Sequence, residues 1–477
     1  MNAPHEKFSN RTQDSQLIAT EKASAPARAI RPAGQPAGQA PLRIMTAGSV
    51  DDGKSTLIGR LMYDLKLMTD DILDDLRAAS RRNGRGELDL SLFTDGLMAE
   101  REQGITIDVA YRYFNHQGRP FILCDSPGHV QYTRNMVCAA SQADVALIMI
   151  DARQGPTEQS LRHLRIAQWL RVPSIVFVIN KMDLVEFSQT RYQALVEELK
   201  ALLPAASATL ASASTQEQYH FEFIPVVAVD GDNIVTRSTD TKRLAWYTGA
   251  SLIEVIESSA SLSGFKASAD LRFTVQLVSR PTGREAGLLH DFRGLAGRVE
   301  SGQLSIGDSI ASTSPEGIER TSTIAGIYQL TGANMELLDT ALSGQSVTLT
   351  LTDDLDISRG DTLYHQDRKP SLSRSLNAQL CWMSETPARV GQRLLVKQGA
   401  RTSIAKIDAI TETLDLKQGQ FLRAQNLNEL KLNEVATVRL SLAHSLLTDS
   451  YIEFPRTGSL LVLDPNSLDS LAAGIVA

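Results

Sequence analysis

From residue 42 to about 263 the chain alternates two kinds of segment. "FILCD" (121–125), "ADVALIMID" (143–151), "SIVFVINKMD" (174–183) and "FEFIPVVAV" (221–229) are near-continuous apolar runs, as expected of strands buried on both faces. "EQSLRHLRIAQWLR" (158–171) and "TRYQALVEELKALL" (190–203) instead repeat their apolar residues at helical spacing. The alternation predicts an α/β domain, a parallel sheet with helices on both faces. After "SLIEVIESS" the pattern changes. Residues 264–371 and 372–477 show short alternating strands with turn signals such as "ESGQLSIGDS", "KQGARTS" and "PRTGSLLVLD", and predict two antiparallel barrels or sandwiches. Residues 1–41, with "APARAIRPAGQPAGQAP", hold little to bury and read as a disordered tail. "PAASATLASAST" (204–215) reads as a surface loop.

Composition narrows the function classes. A chain of 477 residues with 42% hydrophobic content can bury a large core and fill two to four domains. No run of about eighteen apolar residues exists to span a membrane, and "MNAPHEKFSN" has no secretory h-region. Cys124, Cys138 and Cys381 form neither a CxxC metal site nor a disulfide framework, so a reducing cytoplasm is expected. The net charge of −7 argues against a strongly basic nucleic-acid field.

Candidate chemistry begins at "GSVDDGKS" (48–55), which follows the apolar "LRIMTA" and precedes "TLIGRLM". Gly48, Gly53, Lys54 and Ser55 fit GxxxxGK[ST], and a strand before with a helix after is the context a phosphate loop needs. Along Gly48, Ser49, Val50, Asp51, Asp52, Gly53, Lys54, Ser55 and Thr56 the backbone N–H groups and the helix N-terminus would face phosphate oxygens. Lys54 would neutralise β and γ phosphate charge, and the Ser55 hydroxyl would hold Mg²⁺.

The base is read further downstream. Asn180, Lys181, Met182 and Asp183 end the strand "SIVFVI", where a doubly wound sheet places its ligand loops. The Asp183 carboxylate can accept from guanine N1–H and N2–H₂, while the stem of Lys181 covers the ring. Adenine offers no donor at those places, so the expected nucleotide is GTP. Asp125, Ser126, Pro127, Gly128 and His129 ("DSPGH") end another strand. Asp125 can reach Mg²⁺ through water, Gly128 can present its N–H to the γ-phosphate, and His129 stands where an attacking water must be oriented. In "AEREQGITID" (99–108), Thr106 can complete the Mg²⁺ shell. Loss of the γ-phosphate would release its loop.

These motifs, followed by two β domains, resemble GTPases of the elongation factor Tu class. That resemblance implies a P-loop GTPase domain followed by two antiparallel β-barrels, here 42–263, 264–371 and 372–477. The wording is most similar to one branch, the large GTPase subunits of bacterial sulfate adenylyltransferase. It rests on "AGSVDDGKSTLIGRLMYD", "LDLSLFTDGLMAEREQGITIDVAYRYF", "SPGHVQYTRNMVCAAS", "IDARQG", "WYTGASLIEVIE", "DFRGLAGRVESG" and "LTDDLDISRGDTLY". The resemblance implies GTP hydrolysis driving formation of adenosine 5′-phosphosulfate and diphosphate from ATP and sulfate. A separate small subunit would carry the adenylyl transfer, in a heterodimer or larger complex, with neither membrane nor nucleic acid as partner. The sequence agrees by omission, having no HxGH, no SGGxDS-type pyrophosphate loop and no second GxxxxGK[ST].

One position departs from the family. The last guanine loop usually carries Ser-Ala, whereas "VVAVDGDN" puts Val227 at the Ser position. Ala228 remains, and its N–H is the group expected to reach guanine O6. Two other readings stay open at this point. One is a translation factor delivering tRNA or assisting termination, against which residues 372–477 carry only 11 Lys plus Arg beside 10 Asp plus Glu. The other is a scaffold that binds GTP without turning it over, against which Thr106 and His129 argue.

Overall fold

The computed structural model describes residues 41–82, 88–93, 110–126, 133–203, 219–262, 268–280, 292–314, 317–331, 334–423 and 427–477. The tail expected over 1–41, Pro41 apart, and the loop expected over 204–215 lie outside them.

Six strands build the first sheet: β1 (Leu42–Gly48), β2 (Ala110–His116), β3 (Arg119–Asp125), β4 (Val145–Asp151), β5 (Ser174–Asn180) and β6 (His220–Pro225). Their order is β2-β3-β1-β4-β5-β6. Every residue of β4 and β5 is buried, which is why these runs show no alternation in the sequence. The expected strands are all present. Five strands run parallel, but β2 pairs antiparallel with β3 at the edge, from Ala110↔Asp125 to His116↔Arg119. The cause is the two-residue turn Gln117–Gly118, with φ of 50° and 82°, a geometry that reverses a chain into a hairpin.

Helices cover both faces. These are α1 (Lys54–Asp64), α2 (Asp70–Arg82), α3 (Thr133–Ala140), α4 (Glu158–Trp169), α5 (Gln189–Leu202) and α6 (Leu252–Leu262). Successive β4 residues serve opposite layers. Ala146, Ile148 and Ile150 pack with α3, α4 and α5, while Val145, Leu147 and Met149 pack with α1, α2 and α6. Thr157 and Ser188 start α4 and α5 by accepting the N–H groups of Ser160 and Arg191, each at 3.2 Å.

Two closed six-stranded antiparallel barrels follow. The first runs in ring order 309–313, 362–365, 272–279, 294–301, 346–351 and 319–331, which pairs back to 309–313. The second runs 393–398, 459–463, 470–476, 372–382, 435–447 and 401–415, which closes on 393–398. Each encloses its own apolar core. The barrels are joined by buried charge pairs. Arg272 grips Asp449 with two bonds of 2.9 and 3.1 Å, and Arg401 donates to Gly360 O, Thr313 O and Asp361.

The α/β domain is fastened to the second barrel through α4. The buried Arg165 guanidinium donates to Leu416 O and Lys417 O at 2.9 Å each, and to Leu202 O at 2.8 Å. Trp169 Nε1 donates to Gln379 at 3.0 Å, and Tyr451 OH donates to Leu170 O at 3.1 Å. Arg165→Ala removes three hydrogen bonds to half-buried and exposed carbonyls together with the packing of a buried side chain, so it should cost about 1–3 kcal/mol. A lowered thermal-unfolding midpoint would register that loss, and an unchanged midpoint would show that the junction contributes nothing.

Candidate nucleotide site

The site lies at the C-terminal ends of β1, β3, β4 and β5. Gly48 (φ 144°) and Gly53 (φ 95°) bracket the loop between β1 and α1 in backbone states that side chains rarely adopt. A Cβ on Gly48 would stand 2.8 Å from Met149 Cβ, and one on Gly53 would collide with the Asn180 amide. No side chain caps α1, so the N–H groups of its first turn are left for a ligand above the loop.

Lys54 is buried, and its ammonium donates to Ser49 O at 2.7 Å and Gly48 O at 3.2 Å. Burial lowers its pKa, while the carboxylates of Asp125, Asp52 and Asp51 raise it. The loop is also closed from within, because Asp52 Oδ2 accepts the Ser49 N–H at 2.5 Å. Burial pushes the Asp52 carboxyl up to about 6, against the pull of that bond and of Lys54. Val50 and Asp51 are exposed at the loop tip, and Ser55 and Thr56 are half-buried on the first turn of α1.

Asp125 ends β3 fully buried and accepts the Thr46 hydroxyl at 2.9 Å. Ser126 donates to Thr46 O. These bonds fix the ends of β1 and β3 to one another. Thr106, Pro127, Gly128 and His129 lie outside the described residues.

Asn180 joins the two halves of the site. Its Nδ2 donates to Asp52 O at 2.9 Å, and its Oδ1 accepts the Ala228 N–H at 3.0 Å. The N–H expected to meet guanine O6 is therefore held by Asn180 in this structure, which ties the phosphate loop to the last base loop. Lys181 (φ 63°) opens the single 3₁₀ turn Met182–Val185. Its ammonium donates to Asp51 O and pairs with Asp151 at 3.0 Å. Met182 is buried beneath the turn, and Asp183 is half-buried on it. Val227 packs its apolar side chain into the α3–α5 core.

Three groups were not legible as site residues. Asp151 ends β4, where burial would raise its pKa, but hydrogen bonds from Arg153 and Lys181 hold it well below the usual carboxylate range. His163, on α4, is wholly buried beneath the loop, and its Nδ1 accepts the Gly48 N–H at 2.9 Å. Gln159, one turn earlier, lies 2.9 Å from the other ring nitrogen. The only sequence signal for the last two is their four-residue spacing on the apolar side of a helix.

Comparison with known proteins bears on the whole chain. The family model described as the elongation factor Tu GTP binding domain matches residues 40–277. That of the GTP-eEF1A C-terminal domain-like family matches 375–477. Sulfate adenylyltransferase subunit 1 of Bacteroides thetaiotaomicron is 41% identical over 443 residues, covering 91% of this chain and 86% of its own. The proteins of the same name from Saccharophagus degradans and Cellvibrio japonicus are 41% and 42% identical, with the same coverages. With the loops expected to hold phosphate and base assembled in one place, and this identity sustained over nine-tenths of its length, the chain belongs to the sulfate adenylyltransferase subunit 1 family of elongation factor Tu-like GTPases.

Proposed function

We infer that this chain is the GTPase subunit of a sulfate adenylyltransferase. It spends GTP to drive formation of adenosine 5′-phosphosulfate and diphosphate from ATP and sulfate. The observation that carries this reading is Asn180 tying Asp52 to Ala228, one guanine-nucleotide site in a chain 41% identical to proteins of that name. The translation-factor alternative is less supported, since the relatives above share one other name.

In this reading, the turn at Asp183 selects the base and the loop from Gly48 to Lys54 binds the phosphates. Lys54 supplies a positive charge where negative charge grows on the bridging and γ oxygens. The Ser55 hydroxyl and the Asp125 carboxylate are hard oxygen donors that suit Mg²⁺. They would hold it together with Thr106, Asp125 acting through water. The ion would neutralise phosphate charge there. His129 would orient the attacking water, and the Thr106 loop would respond to loss of the γ-phosphate. The adenylyl transfer, with ATP and sulfate as its substrates, belongs to a separate small subunit in a heterodimer or larger complex. A cytoplasmic location fits the three free cysteines.

The purified chain alone should hydrolyse GTP slowly and form no adenosine 5′-phosphosulfate. In the complex with the small subunit, product yield should rise several-fold with GTP over no nucleotide. A non-hydrolysable GTP analogue should give no such rise. Equal yields under all three conditions would overturn the coupling.

A further inference from the structure

We propose that His163 is a positioning residue of the nucleotide site: its neutral imidazole holds the main chain of Gly48, the first residue of the phosphate loop, by accepting the Gly48 N–H. The proposal rests on the reading of residues 48–55 as a GTP phosphate loop.

The geometry is specific. His163 is completely buried, and its Nδ1 lies 2.9 Å from the Gly48 nitrogen across a sequence separation of 115. Gly48 stands at the last position of β1, where strand pairing gives way to the loop. A ring from another element, not a neighbouring strand, therefore satisfies this amide. A side chain at Gly48 has no room, since its Cβ would stand 2.8 Å from Met149 Cβ and 3.0 Å from Met149 O, so the main chain comes directly against β4. Its carbonyl and that of Ser49 are the two acceptors of the Lys54 ammonium. The peptide that His163 tethers is thus next to the one that holds the phosphate-binding cation, and a shift of Gly48 moves that cation's seat.

The chemistry requires an uncharged ring. Nδ1 can accept only if the imidazole is neutral, with its proton on Nε2. Burial, together with the positive charges of Lys54 and Arg162, pulls the imidazole down to about 3 and keeps it neutral at physiological pH. The Nε2 proton then points at the Gln159 amide 2.9 Å away, which must present its carbonyl oxygen there. The Gly48 N–H thus sets the tautomer, and Gln159 completes it by accepting the Nε2 proton. A histidine that only fills core space would have no need of an acceptor aimed at this one amide.

The test uses the full chain and a fluorescent N-methylanthraniloyl derivative of GTP. His163→Leu keeps much of the volume and removes the acceptor. His163→Asn returns a carbonyl oxygen close to the place of Nδ1. Leucine should weaken binding about tenfold or more, the scale of one hydrogen bond to a buried group. It should also raise KM for GTP hydrolysis more than it lowers kcat, and asparagine should recover most of the loss. Wild-type behaviour in both variants, or equal impairment of both, would overturn the role. If His163→Leu does not fold, Gln159→Leu takes its place. With the ring kept but its Nε2 proton left without an acceptor in the core, binding should weaken several-fold, and wild-type affinity would overturn the proposal. Failure of the wild-type chain to bind the probe would instead count against the GTP site itself.

Discussion

Asp183→Asn is expected to weaken GTP binding by roughly 10³-fold or more and to turn the preference toward xanthosine triphosphate. The size follows from how such sites discriminate: a polar group placed to pair with a particular substrate group rejects analogues lacking it by roughly 10⁴-fold or more. Asp183 sits half-buried on a short 3₁₀ turn whose geometry is set from below. Met182 is buried, and its N–H meets Val226 O at 3.4 Å. Lys181 is pinned to Asp51 and Asp151. With its support fixed, the carboxylate can be exchanged for an amide of the same shape. The amide would then turn a donor toward xanthine's C2 carbonyl, where guanine has an amino group. Paired titrations with the two nucleotides check this. Unchanged GTP affinity with no gain for xanthine would show that another residue reads the base.

Lys54→Ala should slow GTP hydrolysis by roughly 10²- to 10³-fold, the usual loss on removing one preorganised group that stabilises transition-state charge. It should also weaken GTP binding more than GDP binding, because the γ-phosphate loses its cation. Among the described residues, the structure shows why the neighbouring lysine does not substitute. The ammonium is buried and enclosed by the carbonyls of Gly48 and Ser49. Lys181, the other lysine at the loop, is committed to Asp51 O and Asp151. Single-turnover phosphate release measures the rate, and wild-type turnover in the variant would move the hydrolytic site elsewhere. In the two-subunit complex the same change should remove the GTP-dependent part of product formation.

What could be read from the sequence was what local pattern carries. Strands β4 and β5 are buried on both faces and therefore appear as unbroken apolar runs. Helices α4 and α5 show their periodicity because one side of each meets the sheet. The phosphate loop is legible because its glycines and lysine are required within a few residues of one another. Groups defined by distant contacts were hidden. His163 reads as any buried helix histidine until the fold brings it beneath Gly48. Asn180 was expected at the base, but its bonds to Asp52 and Ala228 cross 128 and 48 residues. The antiparallel course of β2 depended on the Gln117–Gly118 turn, a pair weaker as a hairpin signal than Asn-Gly. Arg165 on α4 belongs to no motif, and its acceptors come only from the return of the chain at Leu416 and Lys417.

The apolar layer beneath α3, α4 and α5 does not stop at the edge of the α/β domain. Met45, Ile148 and Phe177 belong to the same buried cluster as Cys381, Val435, Tyr451 and Ile475 of the second barrel. That barrel cannot melt without wetting the surface of its neighbour, so the two share part of one unfolding transition. A nucleotide bound only to the folded state adds RT ln(1 + [L]/Kd), about 2.7 kcal/mol at a hundredfold excess over Kd. Through the common core, part of that free energy reaches residues that never touch the ligand. A saturating guanine nucleotide should therefore raise the unfolding midpoint of the second barrel together with that of the α/β domain.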